Sequence, residues 1–114
     1  KIVIGGLTSQ LDHTLGNILP IIPFVEKGHR IKILNSRQVV YLSNKTIELA
    51  NCEGHTISLI PLKATFVVKT EGLNWKLNKE TIYPYQSRTL RNLAIKSKVK
   101  IEISSGVLMV IESS

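Results

Sequence analysis

The sequence predicts a mainly β protein: an antiparallel β-sandwich or barrel-like domain preceded by a strand–glycine loop–helix remnant of an α/β domain. Three observations carry this reading. Residues 1–28 join an apolar β-branched run, a glycine pair and a segment of helical spacing. From His29 the hydrophobic period falls to two, and short alternating runs then recur with turn-forming residues between them.

Lys1-Ile2-Val3-Ile4 reads as the end of a buried, parallel strand because it is apolar and β-branched. Gly5 and Gly6 break it. Leu11, Leu15, Ile18 or Leu19, Ile22 and Val25 then recur every three or four positions, so they line one helix face. Pro20 removes a backbone donor and should kink or end that helix near its middle, and Gly28 supplies the stop. A single strand–loop–helix unit has no sheet to pack on, so the chain is expected to begin inside an α/β domain whose other strands lie upstream.

Strands are expected over residues 30–34, 38–42, 46–49, 55–62 and 65–70, with Asn35-Ser36 and Asn44-Lys45 as turns. After a polar stretch, residues 98–103 and 107–112 read as a closing hairpin around Ser104-Ser105-Gly106. The chain thus divides into residues 1–28 and a β domain over 29–114.

Composition narrows the class. At 114 residues the chain is one domain in size and long enough to bury a core, and 43% hydrophobic with 20% charged residues excludes wholesale disorder. No apolar run approaches the length of about 20 residues that a membrane helix needs, so no membrane partner is expected. Cys52 is the single cysteine, which rules out an internal disulfide and a cysteine-based zinc site. It reads as a small apolar packing group and fits a reducing, cytoplasmic setting.

The net charge of +7 favours an anionic partner. The cations are scattered, however, and Lys96, Lys98 and Lys100 alternate as a solvated strand face would. With three Tyr, two Phe and one Trp there are few rings to stack bases, and no RNA-recognition signature is present, so nucleic acid is a poor fit.

Three segments carry chemistry. The run Gly5-Gly6-Leu7-Thr8-Ser9-Gln10-Leu11-Asp12-His13-Thr14-Leu15-Gly16-Asn17 sets a glycine loop before a helix, where exposed N–H groups suit phosphate. Asp12 also reads simply as a first-turn acid favoured by the helix dipole, with His13 on the surface. Trp75, in Glu71-Gly72-Leu73-Asn74-Trp75-Lys76-Leu77, is either a core ring or a plate for a flat heterocycle. A cationic ring would gain about 0.5–2 kcal/mol more from the indole face. In Ser87-Arg88-Thr89-Leu90-Arg91-Asn92, the Asn92 amide carries donors and an acceptor that match the mixed edge of an aminopyrimidine. His29 and His55 flank strands and read as ordinary surface or edge residues.

Taken in order, the Asp-His-x-Leu-Gly-Asn segment, Ser58-Leu59-Ile60-Pro61-Leu62, the Gly-Leu-Asn-Trp-Lys-Leu segment, Arg91-Asn92 and the closing Ser-Gly-Val-Leu-Met-Val-Ile resemble the C-terminal part of thiamine pyrophosphokinase. The resemblance implies transfer of pyrophosphate from ATP to the hydroxyethyl oxygen of thiamine, giving thiamine diphosphate and AMP. It also implies a Rossmann-like domain holding ATP and Mg²⁺ on aspartates, a thiamine-binding β-sandwich, and a homodimer that shares the thiamine site. By position, Asp12 is then the catalytic and metal-side aspartate, and Gly5, Gly6, Thr8, Ser9, Gln10 and His13 form the phosphate-side loop. Trp75, with Asn74, Arg91 and Asn92, falls on the thiamine side. Two positions depart from the family pattern. Its Gly-Gly-Arg falls on Thr8-Ser9-Gln10, which removes a fixed cation from the phosphate loop, and the serine of its Ser-Asn pair is Arg91. The 114 residues alone are expected not to turn over. The alternatives are a non-catalytic basic β domain binding a phosphorylated ligand or nucleic acid, or a purely structural dimerisation domain.

Overall fold

The computed structural model describes residues 2–5 and 11–114; the phosphate-loop positions Gly6, Thr8, Ser9 and Gln10 lie outside the described residues. The alternating segments pair into two sheets. One has six strands in the order β1 (Ile2–Gly5), β2 (Ile31–Leu34), β3 (Gln38–Ser43), β10 (Leu108–Ser113), β5 (Thr56–Pro61) and β8 (Asn92–Leu93). The other has four, in the order β4 (Ile47–Leu49), β9 (Val99–Ser105), β6 (Thr65–Glu71) and β7 (Asn78–Ile82). Among the described residues all pairings are antiparallel except β1 with β2, which run parallel with Ile2 opposite Ile31. The fold is mainly β with antiparallel sheets, as the period-two patterning predicts.

Burial follows the alternation. Ile57 and Leu59 of β5 meet Val99 and Ile101 of β9 across the sandwich, together with Val67, Leu73, Ile82, Leu108 and Val110. Strand β10 is different: Leu108 and Val110 enter this core, whereas Met109 enters a second cluster on the opposite face. A strand covered on both faces needs an apolar residue at every position, which explains the unbroken Leu108-Met109-Val110-Ile111 run.

The second cluster holds the helical segment against the six-stranded sheet. Helix α1 (Leu11–Ile18) gives way to a 3₁₀ turn at Leu19–Ile21 and resumes as α2 (Ile22–Glu26). Pro20 stands at the start of the 3₁₀ turn and Pro23 at the start of α2, each where a missing N–H is tolerated. Gly28, at φ +99°, closes the end, its N–H donating to Val25 O at 2.9 Å. The expected apolar helix face is split by this break. Ile18 and Val25 pack on Ile31, Ile33, Val40 and Leu42, whereas Leu11, Leu15 and Leu19 face solvent.

The expected hairpin of residues 98–103 and 107–112 does not form. Strand β9 pairs with β4 and β6, and β10 pairs with β3 and β5, so the chain changes sheet at Ser105-Gly106. Two contacts direct the crossing. Val107 O accepts Leu62 N at 2.9 Å and Thr65 Oγ1 at 3.2 Å, which ties the emerging strand to the β5–β6 loop. Gly106, at φ +108°, passes so close to Thr65 that a Cβ would collide with it. Val99, Ile101 and Ile103 therefore face Leu108 and Val110 across the core.

Candidate functional site

The segment after β6 is drawn tightly against the chain that leads into β9. Gly72 takes φ +85°, and a Cβ there would collide with Lys98 O, so only glycine lets the two main chains pass. Leu73 is fully buried and bridges Ala94; Asn74 N donates to Leu93 O at 2.9 Å, and Ile95 N donates to Gly72 O at 2.8 Å. The far end closes on Thr70, whose hydroxyl accepts Leu77 N at 3.0 Å while its own N–H donates to Leu77 O at 3.1 Å. The buried side chains of Leu73 and Leu77 thus anchor both sides of Trp75.

Trp75 itself is 61% exposed, which settles the choice between core ring and surface ring in favour of the surface. Its main chain is held by Asn92, which is only 5% exposed. Asn92 Nδ2 donates to Trp75 O at 2.7 Å, and Asn92 Oδ1 accepts Trp75 N at 3.0 Å and Leu93 N at 2.9 Å. The neighbouring loop is equally fixed. Thr89 Oγ1 donates to Leu59 O at 2.6 Å, Leu59 N donates to Thr89 O at 3.0 Å, and Arg91 N donates to Ser58 Oγ at 2.9 Å. Arg91 adopts φ +56° with its side chain in solvent, and Asn74 is exposed beside Trp75. The four predicted thiamine-side residues, Asn74, Trp75, Arg91 and Asn92, therefore gather at one edge of the six-stranded sheet. Sequence reasoning missed Tyr83 and Tyr85, whose rings stack at 5.3 Å and 20°. Tyr85 lines a groove of about 260 Å³ with Leu59, Ile60, Pro84, Gln86, Ser87 and Leu90.

The phosphate-side residues lie elsewhere. Asp12 is exposed in the first turn of α1, with its Oδ1 accepting the N–H of His13 at 2.9 Å, and His13 is exposed as well. Gly5 ends β1. Strand β1 forms one edge of the six-stranded sheet and β8, which carries Asn92, forms the other. Five strand spacings, each of about 4.8 Å, separate those edges along the sheet. Among the described residues no three His, Cys, Asp or Glu side chains group as a metal site, and Asp12 alone is not the carboxylate set that Mg²⁺ takes.

A larger groove, about 390 Å³, contains none of these residues. It runs along Glu48, Leu49, Ala50, Glu71, Lys98, Val99 and Lys100, where opposite charges face each other on adjacent strands. Lys69 Nζ lies 3.1 Å from Glu71 Oε1 and holds that carboxyl below its usual range. His55 is not the plain edge residue its position suggests, since its Nδ1 lies 2.7 Å from Glu112 Oε2.

Solved structures place this architecture among the thiamine pyrophosphokinases. The enzyme of Bacillus subtilis superposes with a TM-score of 0.84 at 23% identity, covering 99% of this chain and 55% of that chain. That of Geobacillus thermodenitrificans gives 0.79 at 25% identity, covering 99% and 54%. The Candida albicans enzyme gives 0.78 at 14% identity, covering 99% and 44%, a likeness of fold alone. The chain spans about half the length of these structures. No curated protein sequence matches it. Residues 28–108 match the family described as thiamin pyrophosphokinase, vitamin B1 binding domain, and the chain belongs to that family. The matched span contains Asn74, Trp75, Arg91 and Asn92; Asp12 and His13 precede it.

Proposed function

We propose that the chain is the thiamine-side part of a thiamine pyrophosphokinase, with Trp75 as the plate on which thiamine stacks. The observation that carries this is an exposed indole on a loop fixed at both ends, inside the span that matches a vitamin B1 binding domain. The thiazolium of thiamine is a permanent cation, and a cation over an indole face gains without a carboxylate partner. The excess of fifteen Lys and Arg over eight acids suits the other substrate, the triphosphate of ATP.

In this reading the hydroxyethyl oxygen of thiamine attacks the β-phosphorus of ATP, and AMP leaves. Residues 1–28 supply the phosphate side, with Gly5, Gly6, Thr8, Ser9, Gln10 and His13 around the triphosphate and Asp12 beside it; residues 29–114 supply the thiamine side. ATP and Mg²⁺ belong to the whole enzyme, and the metal needs carboxylates beyond those described. The placement of Gly5 and Asn92 on opposite edge strands of the six-stranded sheet supports a homodimer in which the indole of one protomer serves the phosphate loop of the other. We place the enzyme in the cytoplasm, and expect thiamine binding but no AMP release from the 114 residues alone. Sedimentation tests the dimer: a mass near twice 12.7 kDa supports it.

Calorimetric titration of thiamine into the chain and into Trp75→Ala tests the thiamine site. Binding weakened about tenfold or more by the substitution supports it. Equal affinity in the two proteins would overturn it. The net charge and the loss of the family arginine at Gln10 favour a second reading, a non-catalytic module for a phosphorylated ligand or nucleic acid. Oligonucleotide binding that falls steeply with salt would support that reading instead.

A further inference from the structure

We propose that Asn92 is a positioning residue that acts through Trp75, and that its amide edge is spent on the protein rather than offered to a ligand. The inference rests on Trp75 being the thiamine plate, and it concerns how that plate is held. An exposed ring on a loop ordinarily samples several orientations, and each must be lost when a flat ligand stacks. Here the main chain of Trp75 is bonded on both sides by one buried side chain, 17 residues away in sequence.

The bonding pattern fixes which way the amide points. Oδ1 accepts two N–H groups, those of Trp75 and Leu93, while Nδ2 donates to Trp75 O. Turning the amide over would set NH₂ against two donors and oxygen against a carbonyl, so one orientation alone is satisfied. Both lone-pair positions of Oδ1 are then used, which leaves a single Nδ2 hydrogen on a side chain that is almost wholly buried. No acceptor remains for the amino group of a pyrimidine.

The chemistry distinguishes three substitutions. Asn92→Ala strips Trp75 of both partners. Asn92→Asp keeps the two acceptor bonds but sets a carboxylate oxygen against Trp75 O, a repulsion that protonation of the carboxyl would convert into a donated bond. Thr89→Ala breaks the 2.6 Å bond to Leu59 O in the neighbouring loop without touching Trp75, and so controls for general loosening.

Trp75 is the only tryptophan, so its emission reads this loop directly. Acrylamide quenching of that emission and calorimetry with thiamine, on the folded chain and each variant, test the proposal. Asn92→Ala is expected to quench more readily and to bind thiamine about tenfold or more weakly. Asn92→Asp should regain affinity, relative to the unsubstituted chain, as the pH falls and its carboxyl protonates. Thr89→Ala should lose thermal stability yet keep both readouts. Unchanged quenching in Asn92→Ala, or an equal loss in Thr89→Ala, would overturn the positioning role. Should the unsubstituted chain bind no thiamine, the functional reading fails, and quenching of Trp75 still decides whether Asn92 holds it.

Discussion

His55 Nδ1 lies 2.7 Å from Glu112 Oε2, and the second oxygen of the same carboxylate accepts the Tyr41 hydroxyl at 3.3 Å. One carboxylate near the end of β10 thus joins β3, the approach to β5 and β10 itself. Glu112 is 9% exposed, so removing its partners leaves a carboxylate with little access to water, and removing the carboxylate leaves the half-buried His55 and Tyr41 without it. Glu112→Ala should lower stability by about 1–3 kcal/mol. In a cycle with His55→Ala the two losses should add to more than the double variant shows, because either change alone breaks the pair. Denaturant melts of the four proteins check this, and strict additivity would mean that the pair contributes nothing.

Burial, reinforced by the Glu112 carboxylate, pushes the Tyr41 hydroxyl up to about 12 from its ordinary 10. The sign follows from proton counting. Above pH 10 the unfolded chain releases this proton while the folded chain keeps it, so unfolding gains with rising pH. The stabilisation is complete below pH 10 and is lost as pH approaches 12. Denaturation midpoints should therefore fall between those values, less steeply in Tyr41→Phe than in the unsubstituted chain. Identical slopes would show that Tyr41 is not the group responsible.

Cys52 has no exposed surface, its thiol donates to Ser97 O at 3.2 Å, and desolvation raises its pKa. Thiolate is the reactive form, so the folded protein should resist alkylation. Labelling by a maleimide or a disulfide reagent should track opening of the structure, rising with denaturant in parallel with loss of the fold. Rapid stoichiometric labelling of the native chain would contradict this placement.

Local pattern made some of these elements legible and hid others. Strands β5 and β9 bury every second residue, Ile57 and Leu59 in one and Val99, Ile101 and Ile103 in the other, so alternation alone located them. Strand β7 escaped because Asn78-Lys79-Glu80 carries no apolar period and its one buried side chain is Ile82. Strand β8 is two residues long and owes its place to pairing with Thr56 and Ile57. In the site, the uniqueness of Trp75 and the glycine before it were visible in sequence, and Asn92 was visible as a polar residue of suitable type. Its bonds to Trp75 span 17 residues and those of His55 to Glu112 span 57, separations at which no local spacing rule operates.

The mistaken hairpin leads to the last prediction. Ser104-Ser105-Gly106 carries the composition of a tight turn, and composition cannot distinguish a turn within one sheet from a crossing between two. The crossing makes a stricter demand on Gly106, because a hairpin glycine faces solvent whereas this one abuts the main chain and hydroxyl of Thr65 and the carbonyl of Ala64 at φ +108°. Alanine there meets both a disfavoured backbone region and a collision with rigid neighbours, and either Thr65 or the β9–β10 connection must shift. Thr65 is itself fully buried and bonded to Lys63 O and Val107 O, so it has little room to move. Gly106→Ala should cost about 2–4 kcal/mol, well above the cost of a left-handed conformation alone at about 1–2 kcal/mol. Chemical denaturation measures it. A loss under 1 kcal/mol would mean that the chain turns at Gly106 without pressing on Thr65, and that the two-sheet crossing is set elsewhere.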